Sequence, residues 1–146
     1  MVKGKISPGK FFVELNKDTM HLVDAFYDES IVFQDPLISL NGRQAMRQYY
    51  ERMYKNVEYI HFDITDEIFL EGEGKATLVW RMTLIAKHFN GNKPLKLDGV
   101  SVIHFGGKDG KAVYHRDYFD MGAFVYESVP LLGSIIRFIK KKMRTH

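Results

Sequence analysis

The sequence of 146 residues contains no cysteine. Disulfide frameworks, thiolate nucleophiles and cysteine-ligated zinc sites are therefore excluded, and the chain is indifferent to the redox state of its compartment. The histidines of the predicted strands lack the spacing of metal ligands, so we expect neither a metal site nor a cofactor. Any chemistry must then be done by carboxylates, arginine and histidine.

Long apolar segments are also missing. No apolar run reaches the ~18–20 residues that a membrane span needs, and the segment from Met1 to Gly4 lacks the apolar core of a signal peptide. We therefore expect a cytoplasmic protein. There is no internal repeat and no low-complexity segment, and 45% of the residues are hydrophobic. This length and composition predict one folded domain with a core of its own.

The excess of positive charge is confined to the C-terminal end. The formal net charge is +3, and five of the 21 basic residues lie after residue 136, where no acidic residue follows. Residues 1–136 therefore hold 16 basic residues against 18 acidic ones. Because the body is slightly acidic and a short tail offers few phosphate contacts, we expect no nucleic-acid partner.

Helical patterns dominate the first third of the chain. Ser7 and a following proline form a helix start, which predicts a helix over Pro8 to Lys17. Asp18 and its neighbour Thr19 are expected to cap a second, short helix. A β-rich segment over 31–35 is stopped by a proline, and Arg43 to Lys55 has the periodicity of an amphipathic helix.

From Val57 onward the apolar period changes from about 3.6 to 2, which indicates strands. Glycine-rich turns separate the runs Ala76–Phe89, Pro94–Phe105 and Lys111–Asp120. Turns this short join antiparallel strands, because parallel strands need long crossovers. The pattern therefore predicts an α+β fold with helices on one face of a curved antiparallel sheet.

The last segment, residues 123–146, is amphipathic and basic, and a helix is expected from about Gly133. We expect this tail to pack on the domain or on a partner. The preferred interpretation is a helix that closes the mouth of the pocket, with its basic residues solvated, ahead of a dimer element. Contact with anionic lipid is a minor alternative.

Three stretches stand in a characteristic order: Ile31-Val32-Phe33-Gln34-Asp35-Pro36 followed by Asn41-Gly42-Arg43, then 97–105, then His115-Arg116-Asp117-Tyr118-Phe119-Asp120. Together they resemble the nuclear transport factor 2-like superfamily, in the branch of SnoaL-like proteins, ketosteroid isomerase and limonene epoxide hydrolase. The resemblance covers about residues 8 to 122 and implies a domain over 1–122. It implies a cone-shaped, curved sheet wrapped by N-terminal helices around an internal pocket.

The resemblance to ketosteroid isomerase assigns a role to Asp35. In that enzyme an aspartate before a proline, at the end of the first strand, moves a proton next to a carbonyl group. Phe33 shares the strand face of Asp35 and is expected to form an apolar wall. The positions that match the isomerase's donors to the enolate oxygen hold Phe12, which has no donor group, and Ser101, whose hydroxyl is a weaker donor than a protonated carboxyl.

The resemblance to limonene epoxide hydrolase points to Asp117 instead. That hydrolase uses an aspartate at this position to help activate water, and pairs it with an arginine that matches Arg81. We therefore expect an Arg81–Asp117 pair across the pocket. The hydrolase carries its acid two residues after the arginine, where this chain has Thr83.

His115 and Phe119 share the strand parity of Asp117, so all three should face the same side. His115 is interpreted as a buried histidine with satisfied hydrogen bonds in preference to a proton relay. Tyr118 and Asp120 have the opposite parity and should lie on the outer face of the sheet. In this superfamily that face is often a dimer surface, which implies a homodimer.

Two hypotheses of function stay open. The first is a pocket that binds a small, mostly apolar organic molecule, with acid–base chemistry of isomerase or hydrolase type. The second is a non-catalytic module that binds a ligand or a protein partner, with Arg81–Asp117 as a structural bridge. The candidate catalytic residues are Asp35, Asp117 and Arg81, and the candidate ligand-binding residues are Phe12, Phe33, Thr83, Ser101, His115 and Phe119.

Overall fold

The computed structural model describes residues 7–87, 89–124 and 130–145. Its helices are α1 (Pro8–Glu14), α2 (His21–Phe26), α3 (Arg43–Lys55), α4 (Met121–Phe124) and α5 (Pro130–Arg144). Its strands are β1 (Tyr27–Gln34), β2 (Ser39–Asn41), β3 (Val57–Leu70), β4 (Lys75–Ala86), β5 (Leu95–Phe105) and β6 (Ala112–Phe119). The α+β class is confirmed, and the strands of the meander, β3 to β6, follow α3 as predicted.

The first helix begins as the sequence predicts and ends earlier. The Ser7 side chain accepts a hydrogen bond from the backbone N–H of Lys10, and a proline occupies the first helical turn. The helix stops at Glu14 because Leu15 is extended and Asn16 begins a turn of its own. Thr19 Oγ1 accepts from the Asn16 N–H at 2.8 Å. The Asp18–Thr19 pair therefore closes this turn, and the capping position of α2 is Met20.

The six strands form one sheet in the order β2-β1-β6-β5-β4-β3. The hairpins of β3 to β6 are antiparallel, as the short turns predict, but β1 lies parallel to β6, with Phe33 beside His115. The prediction of a fully antiparallel sheet is therefore wrong. Short turns fix only the pairing of strands that follow each other along the chain, whereas α3 and the whole meander separate β1 from β6. The sheet is mixed and open.

Buried and less buried side chains alternate along the strands, and the buried ones form the inner face of the sheet. In β4 the buried side chains are those of even number, among them Trp80, and in β5 those of odd number, among them Ser101. Trp80 pairs with Gly99 across the two strands. A Cβ atom on Gly99 would lie 2.2 Å from the indole ring. Because Gly99 has no side chain, the Trp80 ring can lie against this part of the sheet.

The C-terminal helix α5 begins at Pro130, three residues earlier than predicted, since proline is tolerated in the first turn. The loop expected before Gly133 falls largely on residues 125–129, outside the described residues. Lys140 Nζ lies 2.9 Å from Asp120 Oδ2 and links the helix to the end of β6. None of the helices described here has the length and apolar character needed to cross a membrane.

Substitution of Gly99 by alanine is expected to destabilise the fold by about 1–3 kcal/mol, because the new methyl group and the Trp80 ring cannot occupy the same space. Urea unfolding followed by circular dichroism measures the change. Gly72→Ala is the matched control, because no atom lies within 4 Å of a Cβ built there. Equal unfolding midpoints for the two variants would contradict this account of Gly99.

Candidate functional site

A mainly apolar cavity lies between the inner face of the sheet and helices α1 and α3. The space open to the centre of a water molecule is about 80 Å³, several times the ~10–15 Å³ that one water requires. The cavity is lined by Phe12, Leu15, Phe33, Asp35, Leu37, Tyr49, Tyr50, Met53, Tyr54, Ile60, Phe62, Trp80, Met82, Leu97, Ser101, Asp117 and Phe119. Two of these residues, Asp35 and Asp117, carry carboxylates.

The carboxylate of Asp35 is engaged by the turn that follows β1. Its Oδ1 accepts hydrogen bonds from the backbone N–H groups of Leu37 and Ile38, at 2.7 and 2.9 Å. Its Oδ2 accepts a longer bond from the hydroxyl group of Tyr49, at 3.3 Å. Both oxygens of Asp35 therefore already have donors from the protein, as expected for an aspartate that closes a strand and starts a turn.

The carboxylate of Asp117 is held differently, by side chains alone. Ser101 Oγ donates to Asp117 Oδ1 at 2.5 Å and accepts a hydrogen bond from Trp80 Nε1 at 2.9 Å. His115 Nε2 lies 2.6 Å from the same Oδ1. In the part of the chain that the structure describes, both donors reach Oδ1. Oδ2 is therefore the oxygen available to a molecule in the cavity.

A chain of hydrogen bonds continues behind Asp117 into the core. His115 is fully buried, and its Nδ1 lies 2.7 Å from the hydroxyl group of Tyr27. The Tyr27 hydroxyl in turn lies 3.0 Å from that of Tyr50. Since a carboxylate only accepts, the neutral ring that suits both partners donates from Nε2 to Asp117 and accepts at Nδ1 from Tyr27. The hydrogen bonds of Tyr50, Tyr27 and His115 then all point towards Asp117.

The two tyrosines of this chain are held in their neutral form. Burial is the main cause that raises the pKa of the Tyr27 hydroxyl, and of the Tyr50 hydroxyl, well above the ordinary value. Burial likewise raises the pKa of Tyr49, and the nearby charge of Asp35 adds to that effect. All three hydroxyl groups are thus proton donors in hydrogen bonds across the ordinary pH range.

The structure brings most of the candidate site residues to one place. Of these candidates, those that line the cavity are Asp35, Asp117, Phe12, Phe33, Ser101 and Phe119. His115 lies directly behind Asp117, with both ring nitrogens in hydrogen bonds. The preferred interpretation of His115 as a buried and satisfied residue therefore agrees with the geometry.

Two candidates lie elsewhere, and the expected Arg81–Asp117 bridge is not formed. Arg81 pairs with Asp98 on the adjacent strand, with Nε to Oδ1 at 2.7 Å, and its side chain is 57% exposed. Arg81 and Thr83 are odd-numbered residues of β4, whereas Trp80 and its even-numbered neighbours face the cavity. Both therefore belong to the outer face. The alternation of apolar residues on either side of Arg81 already indicates this outward orientation in the sequence.

The amphipathic periodicity of Arg43 to Lys55 indicates that one side of α3 faces the core, and the structure places the aromatic residues of that helix at the cavity. Tyr49, Tyr50 and Tyr54 line the cavity together with Met53. Tyr27 was missed because it precedes the predicted strand over 31–35, while β1 begins at Tyr27 itself. Tyr50 and Tyr54, four residues apart and hence on one side of the predicted helix, are the signal that could have indicated the role of α3.

Comparisons with known proteins agree on the architecture. A model of the SnoaL-like domain matches residues 9–115. Among curated proteins no sequence matches the chain. Solved structures with a similar fold include an LEH-like epoxide hydrolase from M. tuberculosis, with 16% identity, a TM-score of 0.65, and coverage of 88% of this chain and 90% of that one.

Two further solved structures are similar. One is a protein with a ketosteroid isomerase-like fold from Catenulispora acidiphila, in complex with trimethylamine, with 14% identity, a TM-score of 0.63, and coverage of 77% of this chain and 82% of that one. The other is an NTF2-like protein from Cytophaga hutchinsonii, with 15% identity, a TM-score of 0.59, and coverage of 82% and 95%. At such identities the likeness concerns the fold alone.

The buried tyrosines predict a loss of stability at alkaline pH. Because their pKa values are raised in the folded state, their contribution is complete below the unfolded value of about 10 and is lost as pH rises from there towards the folded values. Above that pH each buried tyrosine should lower the free energy of unfolding by about 1.4 kcal/mol per pH unit. Tyr27→Phe should remove one such contribution from the slope.

Urea unfolding at a series of alkaline pH values measures this slope. Tyr27→Phe should also lower the stability at neutral pH by about 1–3 kcal/mol, because His115 Nδ1 loses its donor. The control is Tyr59→Phe, since Tyr59 is half exposed. An alkaline slope that is the same in wild type and Tyr27→Phe would show that Tyr27 ionises freely in the folded protein.

Proposed function

Since this chain belongs to the SnoaL-like domain family, we propose that its cavity binds a small, mostly apolar organic molecule and that Asp117 accepts a proton there. The reaction is of isomerase or hydrolase type and uses no cofactor. The observation that carries this proposal is the set of hydrogen bonds that converge on one oxygen of Asp117 and leave the other to the cavity.

The arrangement around Asp117 suits a general base. A base must lie within hydrogen-bond reach of the proton that it removes, and its orientation must be fixed. Ser101 and His115 fix the Asp117 carboxylate through Oδ1. The aromatic and aliphatic wall around it excludes water from a bound apolar molecule, which strengthens electrostatic interactions inside the cavity.

The proton balance of the isomerase version is simple. Asp117 Oδ2 takes a proton from a carbon next to a carbonyl group, the C–H electron pair moves towards the carbonyl oxygen, and an enolate forms. The same carboxyl then returns the proton to a carbon of that enolate. In the hydrolase version Asp117 takes a proton from the water molecule whose oxygen bonds to an epoxide carbon, the carbon–oxygen bond of the ring breaks, and the protonated Asp117 carboxyl returns the proton to the released alkoxide oxygen. Tyr49 is a wall residue whose single hydroxyl hydrogen is donated to Asp35 Oδ2, so it holds Asp35 and is not a free donor for the developing negative charge.

Asp35 has a supporting part in this proposal. Its two oxygens already accept hydrogen bonds from two backbone N–H groups and from Tyr49. Removing a substrate proton would require it to give up part of that set. Asp35 therefore orients the Tyr49 hydroxyl and shapes the cavity wall, while Asp117 handles the proton.

The test follows hydrogen exchange, which needs no knowledge of the natural substrate. The protein is incubated in deuterated water with small cyclic ketones, and deuterium at the carbon next to the carbonyl is measured by mass spectrometry. Asp117→Asn should lower the exchange rate by about 100-fold or more, because an amide cannot accept the proton. Cyclohexene oxide in oxygen-labelled water tests the hydrolase version in the same way.

The control is Asp98→Asn, which changes a carboxylate of the outer face that contacts Arg81. Its exchange rate should equal that of the wild type. Ligand-detected NMR with the same ketones measures binding separately. If the wild type binds the ketones without exchange or epoxide opening, the chain is a non-catalytic binding module. Binding of none of these compounds would contradict the assignment of the cavity.

A further inference from the structure

The C-terminal helix α5 presents an apolar stripe to the outside of the molecule. Its most exposed apolar side chains stand at positions 132, 135, 138, 139 and 143, from 41% exposure at Leu132 to 74% at Met143. Side chains with this spacing lie on one side of a helix. The stripe, which we name the α5 stripe, consists of Leu132, Ile135, Phe138, Ile139 and Met143.

Helix α5 meets the domain through a different side. Gly133 is buried, and Lys140, seven residues later and hence on the same side, lies 2.9 Å from Asp120 of the domain. At 100° per residue these two positions lie about a third of a turn from the centre of the α5 stripe. In the described part of the chain, Gly133 and Lys140 are thus turned to the domain, while the side chains of the α5 stripe are 41–74% exposed.

Positive charge accompanies the stripe. Five basic and no acidic residues lie in α5. Lys142 lies within the C-terminal part of the stripe, four residues after Phe138, with its Nζ 5.8 Å from the centre of the Phe138 ring. Two copies of α5 packed through this stripe would each bring Lys142 to the contact, and like charges would meet. A surface of negative charge above an apolar layer complements the stripe and its lysine together.

We propose that α5 binds the surface of an anionic lipid bilayer, with the α5 stripe in the boundary between headgroups and acyl chains. A large apolar side with a basic opposite side is the pattern of helices that lie in this interface. Lys142 reaches anionic headgroups while its stem runs along apolar surface, and Lys141 on the basic side adds attraction to the anionic surface at longer range. The Lys140–Asp120 contact holds the domain next to the membrane. This proposal is independent of the chemistry in the cavity.

The experiment is sedimentation of the full chain with vesicles. One set contains phosphatidylcholine alone, and the other contains equal parts of phosphatidylcholine and phosphatidylglycerol. We expect binding to the anionic set and weaker binding at high salt, because the charges are screened. Phe138→Ser with Ile139→Ser should abolish it. Reversal of Lys141 and Lys142 to glutamate should weaken it by more than about tenfold, since each charge near the surface contributes about fivefold.

Matched controls come from outside the helix. Ile68→Ser changes an apolar side chain of the sheet with similar exposure, and reversal of Lys93 and Lys96 to glutamate makes the same change of net charge. Both should bind vesicles like the wild type, and thermal unfolding should confirm that every variant folds.

Three results would overturn the proposal. The first is no binding to anionic vesicles, and the second is equal binding to both vesicle sets. The third is self-association in analytical ultracentrifugation that the Phe138→Ser, Ile139→Ser variant loses without any vesicle binding by the wild type. That last result would assign the stripe to a second copy of the chain.

Discussion

The buried imidazole of His115 is the constraint on which the site depends. Because the ring is fully buried, each of its two nitrogens must find a partner, since an unsatisfied buried polar group costs about 1–3 kcal/mol. Those partners come from Tyr27 at the start of β1 and Asp117 on β6, and Tyr50 of α3 completes the chain. The same ring also packs edge-on against Phe33. One residue therefore ties together the parallel strand pair, the helix above it and the carboxylate of the cavity.

The two carboxylates of the cavity differ because of what holds them. Backbone groups of a turn hold Asp35, and they would hold an aspartate there whether or not a ligand existed. Side chains from two strands hold Asp117. Both of them bond Oδ1, which orients the carboxylate and leaves Oδ2 available to the cavity. The proposed proton transfer by Asp117 rests on this difference between the two carboxylates.

Much of the fold could be predicted from the sequence, because period and turn residues act locally. The helix from Arg43 to Lys55 and the hairpins of β4 to β6 follow from such local signals. The parallel pairing of β1 with β6 could not, since it joins segments far apart in the chain. In the site, strand parity placed Asp117, His115 and Phe119 correctly. The family resemblance wrongly placed Arg81 and Thr83 in the pocket. The alternation of strand faces, with Trp80 and Met82 on either side of Arg81, indicates the outer face instead.

The sequence of the basic tail could not decide between a helix that closes the pocket mouth and a helix that contacts a partner or a lipid surface. Hydrophobic periodicity indicates that α5 has an apolar side but not the direction in which that side points. In the described part of the chain the direction follows from the burial of Gly133 and the ion pair of Lys140 with Asp120. Lys140 also holds the pKa of the Asp120 carboxyl below its ordinary value, so this ion pair persists at neutral pH. An amphipathic helix fixed by its polar side must turn its apolar side outward. The basic residues that give the chain its positive net charge therefore both attach α5 to the domain and lie next to its exposed apolar side.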